Sequence, residues 1–89
     1  MHRLVHWNEN KLLAVGIGNV MYILRFEDYK EGSPIAIEIC KPNFTITALR
    51  WLEVKKVVVQ KIVALGTTDP DKKLIIYDVD IKKVVRVIN

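Results

Sequence analysis

His2 and His6 are four residues apart and would share a face if the first strand began at His2, a spacing that could offer two imidazoles to one metal ion. No third ligand accompanies them, so they read as a terminal histidine and a histidine at a sheet edge. Asp69, Asp71, Asp78 and Asp80 have the chemistry of a hard-cation site, but the calcium-loop pattern is missing and Lys72-Lys73 stands between the two pairs. They read instead as turn formers whose carboxylates accept from backbone amides. Gly16 and Gly18 lack the third glycine and the following helix of a phosphate-cradling loop; VMYILRF, a strand sequence, comes next. Cys40, the one cysteine, has no histidine or carboxylate at a diagnostic spacing and reads as a buried or semi-buried structural thiol. The sequence thus predicts a non-enzyme without catalytic residue, metal or cofactor.

The elements around these residues are short apolar segments separated by turns, with no helical stripe. RLVHW, KLLAVGI, VMYILRF and PIAIEI form four candidate strands up to Cys40, and FTITALRW, VVVQKIVAL, KLIIYDV and KVVRVI form four more. Gly18-Asn19 between two apolar runs is a two-residue hairpin signal, because both residues tolerate positive φ. TTDPDK predicts a second hairpin with a longer loop. EDYKEGSP is polar and holds Gly32 and Pro34, which predicts a surface loop.

The two halves repeat each other. LVHW resembles ALRW with Trp7 and Trp51 at the same place, LLAVG ending at Gly16 resembles IVALG ending at Gly66, and MYILRF falls on LIIYDV. The repeats run over about 3–40 and 44–88 within a single β unit, 1–89. VMYILRF and KLIIYDV are apolar on both faces until Arg25 and Asp78, so those strands call for cover on both sides. Antiparallel sheets stacked face to face supply it without helices.

A run ending in Trp, then LAVG or VALG, a turn, and an apolar strand ending in an aromatic and Asp is similar to the WD-repeat β-propeller, with Tyr77-Asp78 where that family often has Trp-Asp. Leu24-Arg25 fills that place in the first repeat, and no Gly-His precedes either first strand. The resemblance implies two four-stranded antiparallel propeller-type blades. It also implies the role of a protein-interaction scaffold or adaptor. A small single β-sandwich or barrel is the alternative fold.

Of the 89 residues 51% are hydrophobic and 27% charged, which excludes a disordered or collagen-like chain. One cysteine excludes an intramolecular disulfide and suits a reducing, intracellular compartment, cytoplasmic or nuclear. The start MHRLVHWNEN lacks the apolar core of a signal peptide, and no apolar run reaches the roughly 20 residues that span a bilayer, so no membrane partner is expected. Residues 1–44 carry five basic and five acidic side chains, and 45–89 carry nine basic and five acidic, so the whole net charge of +4 lies in the second half. Such asymmetry leaves nucleic acid as the alternative partner.

If the blades form, one rim gathers Arg3, Asn19, Phe44, Asp69 and Lys72, the expected partner-binding residues. Two blades also leave two sheet faces uncovered. The expected assembly face comprises Val20, Met21, Tyr22 and Ile23 from one half and Leu74, Ile75 and Ile76 from the other. Covering it calls for further copies of the chain or for a protein that supplies the remaining blades.

Overall fold

A computed structural model describes residues 4–7, 12–27, 30–31, 34–52 and 61–89, and within them the fold is entirely β. His2, Arg3 and Lys55-Lys56 lie outside the described residues, as does the start of the sixth expected strand, VVVQKIVAL. The first sheet contains β1 (Leu4–Trp7), β2 (Leu12–Ile17), β3 (Val20–Glu27), β4 (Lys30–Glu31) and β5 (Ile35–Glu38). The second contains β6 (Ile46–Leu52), β7 (Ile62–Thr67), β8 (Leu74–Asp78) and β9 (Lys83–Ile88) in simple meander order. All pairings are antiparallel. In the first sheet β3 pairs with β2 through Val20 to Arg25, with β5 through Val20 to Ile23, and with β4 through Phe26 and Glu27. Each half therefore makes a four-stranded antiparallel sheet, with the two-residue β4 added to the first, and neither closes into a barrel. The one strand the polar loop concealed is β4: it is too short to show an alternating pattern, and its residues Lys30 and Glu31 have low strand preference.

Turn chemistry fixes the registers. Ile17 pairs with Val20, leaving Gly18 and Asn19 as a two-residue turn; φ is +60° at Gly18 and not positive at Asn19, the pattern of a type II′ hairpin. The β8–β9 turn places Lys82 at φ 56°, and Asp78 Oδ1 accepts from the amides of Asp80 and Ile81 at 2.9 and 3.3 Å. Asp78 builds this turn, as the sequence indicates, whereas the Asp80 carboxylate lies 3.7 Å from the Lys61 ammonium.

The sheets stack face to face. Alternation sends Leu12, Ala14, Met21 and Ile23 to the inner face of the first sheet, where all four are buried. Opposite them, Trp51, Val63, Leu65, Ile75 and Tyr77 form the buried inner face of the second sheet. Gly16 lies on the inner face too, where a Cβ would stand 3.4 Å from Ile46 Cγ2, so the start of β6 packs close to β2 there. The two-sided cover expected for β3 and β8 is thus provided on one side only among the described residues.

Candidate interaction surfaces

One end of the stack is built by three segments that hold one another. The Gly18-Asn19 turn receives the chain as it crosses between sheets: Ile39 N donates to Asn19 O at 2.8 Å, Asn19 Nδ2 donates to Cys40 O at 2.9 Å, and Ile46 N donates to Gly18 O at 2.7 Å. Phe44 N closes a turn onto Lys41 O at 2.9 Å. The β7–β8 hairpin then joins the same end, with Thr68 N donating to Thr45 O and Thr45 N donating to Thr68 Oγ1, each at 2.9 Å. Asn19, Phe44, Asp69 and Lys72 therefore sit on segments brought to one rim. Asn19, Phe44 and Lys72 are half-buried.

Asp69 has a different place. It is 4% exposed, and its Oδ1 accepts from Asp71 N at 2.9 Å, so its carboxylate faces into the hairpin it shapes. Thr67 completes that turn: its hydroxyl accepts from Asp69 N at 3.1 Å and donates to Lys72 O at 2.6 Å. The threonines were missed as site builders, although a Thr-Thr-Asp-Pro run is a recognisable turn signal. Cys40 is buried beneath the rim; burial first, and then the Asp69 carboxylate, push its thiol above its ordinary value, against a smaller opposing pull from the Lys72 ammonium. A thiol so held is a poor nucleophile at neutral pH.

His6 links the two sheets. Its Nδ1 accepts from Trp51 N at 2.9 Å and its carbonyl accepts from the Trp51 indole Nε1 at 2.9 Å, joining β1 to β6. Among the described residues no group of three or more His, Cys, Asp or Glu side chains could hold a metal ion, and no helix is long and apolar enough to cross a membrane.

The seven residues expected to form an assembly face divide by alternation. Met21, Ile23 and Ile75 are buried between the sheets of this chain. Val20, Tyr22 and Ile76 are half-buried and Leu74 is exposed, all on the outer faces. Two rows of the outer face of the first sheet are apolar, while a third, Ile17, Val20, Glu38, ends on an exposed carboxylate. One row runs Val5, Val15, Tyr22, Ala36, and the next runs Trp7, Leu13, Leu24. Val5 is 50% and Trp7 56% exposed. On the outer face of the second sheet, the central row runs Arg50, Ala64, Ile76, Arg86, an apolar middle between two exposed guanidinium groups. Sequence inspection missed that row because its members are 14, 12 and 10 residues apart along the chain and only strand pairing aligns them.

No family model matches the chain, and searches of curated proteins and of solved structures return no match.

Proposed function

We propose that this chain is a non-catalytic protein-interaction scaffold whose two blade-like sheets form part of a propeller completed by further blades, from its own copies or from a partner polypeptide. The observation that carries this reading is the open apolar outer face of the first sheet, with Val5 and Trp7 at 50% and 56% exposure. A contiguous apolar face of this kind is rare on a soluble monomer and belongs against another surface. The rim supports the scaffold role, since loops tied to a rigid sheet framework present recognition groups at fixed positions. Asn19, Phe44 and Lys72 carry that recognition, with Arg3 added from the sequence alone, and Asp69 shapes the hairpin that presents Lys72.

Affinity capture of the natural partner by the immobilised chain tests this. Alanine at Arg3, Asn19, Phe44 and Lys72 together is expected to reduce retention at least about tenfold, equivalent to about 1.4 kcal/mol. Undiminished retention removes the rim from the proposal.

The Arg50–Arg86 row favours a second reading, a small basic β module that binds nucleic acid. Its affinity would fall steeply with salt as phosphate contacts release counterions. Mobility shifts with RNA and DNA at low salt decide it, and their absence at high protein concentration eliminates this reading.

A further inference from the structure

We infer that the open face of the first sheet is a docking surface for a second copy of this chain, which places there the open face of its own second sheet. The inference rests on the two-blade reading and adds to it the occupant, its orientation and the residues that meet.

The internal repeat supplies the argument. Aligning Trp7 with Trp51 and Gly16 with Gly66 sets Val5, Leu13 and Val15 on Leu49, Val63 and Leu65. Aligning the third strand of each half sets Tyr22 and Leu24 on Ile75 and Tyr77. In the second sheet these positions make the face that packs inside the chain. In the first sheet they make the open face. The converse also holds. Leu12, Ala14, Met21 and Ile23, buried against the second sheet, correspond to Ile62, Ala64, Leu74 and Ile76 on the outer face of the second sheet. The chain thus contains one matched pair of faces in use and the same pair left over, one member at each end.

Two surfaces related in that way join head to tail, and repetition of the join gives a closed ring if the rotation closes. The chemistry agrees with that orientation. Inside the chain Trp51 meets His6. Between copies Trp7 would meet Arg50, the residue at the repeat position of His6, and a guanidinium against an indole face is favourable. Pairing two second-sheet faces with each other would instead bring the Arg50–Arg86 row against its own kind, with like charges opposed. Three or four chains would give six or eight blades, within or at the limit of the roughly four to eight that propellers use.

Light scattering and native mass spectrometry on the full chain at micromolar concentration test the assembly, with an expected mass of three or four times 10.3 kDa. Tyr22→Glu blocks the open face of the first sheet and Ile76→Glu that of the second. Each variant alone is expected to be a monomer, and an equimolar mixture is expected to form a dimer and stop there. Trp7→Asp and Arg50→Glu, both at exposed positions, repeat the experiment if circular dichroism finds either of the first pair unfolded. Self-association of a single-face variant equal to wild type overturns the inference, as does a mixture that stays monomeric. A wild-type monomer that binds an apolar dye also overturns it and leaves the two-blade reading with a different partner. A monomer that binds no dye and unfolds cooperatively overturns both.

Discussion

Trp51 donates twice to His6, from its amide to Nδ1 and from its indole to the carbonyl, both at 2.9 Å, so one residue pair joins the first strands of the two sheets. The Trp51 side chain is also buried, which ties the polar link to the apolar core. His6→Leu removes the acceptor for the Trp51 amide and is expected to cost about 1–3 kcal/mol. Trp51→Phe removes the indole donor and leaves unfilled volume, with a loss of similar size. Urea unfolding midpoints check both, and an unchanged midpoint in both variants would show that the sheets hold together without this pair.

Neighbouring positions on β8 should differ sharply. Ile75 is 1% exposed on the inner face and Leu74 is 37% exposed on the outer one. Ile75→Ala is expected to destabilise by about 2–5 kcal/mol, as for other buried aliphatic truncations. Leu74→Ala should cost under about 1 kcal/mol in the monomer, because less area returns to water. Equal losses would mean that the register of β8 is wrong.

Two turns give backbone effects of opposite sign. Gly18 has φ +60° with open space where a Cβ would stand, so Gly18→Ala strains the backbone alone and should cost about 1–2 kcal/mol. Lys82 already has φ 56°, and Lys82→Gly should raise stability by up to about 1 kcal/mol after the extra chain entropy of glycine is counted. Thermal unfolding reads each, at about 4–8 °C per kcal/mol for a domain of this size.

Stability should decline at alkaline pH. The Cys40 thiol holds its proton more tightly in the folded chain than in the unfolded one, because of burial and then Asp69. The unfolded state therefore loses the proton first, and stability, fully present below the ordinary thiol range, falls as pH rises through it towards the raised value. Tyr77, raised by burial and then by Asp78, adds a decline of the same sign in the phenol range. Urea midpoints measured upward from neutral pH should show both, with the earlier fall absent in Cys40→Ala. A midpoint that climbs with pH contradicts the assignment.

Much of the local structure was legible in the residues. KVVRVI is β9 from Lys83 to Ile88, Gly18-Asn19 forms the expected hairpin, and Asp69 of TTDPDK and Asp78 of YDVD cap turns, because each outcome depends on φ preference or on a carboxylate reaching an amide two or three residues away. The rim was partly legible: chain order put Asn19, Phe44 and Lys72 at turns, but the inward carboxylate of Asp69 depends on how Thr67 folds the hairpin. The Arg50–Arg86 row and the His6–Trp51 link were not legible, since they join residues distant in the chain through pairing and stacking.

The sequence by itself determined that the chain makes short antiparallel strands in two similar halves. Only the tertiary structure decided which side of each strand is buried. In VMYILRF and KLIIYDV both sides are apolar, so alternation carries no preference between them, and a one-residue difference in register would exchange the two faces. The choice falls to the long-range fit: Ile46 packing close to Gly16, and Trp51 reaching His6, set the face with Met21 and Ile23 inward and leave Tyr22 and Leu24 on the other side.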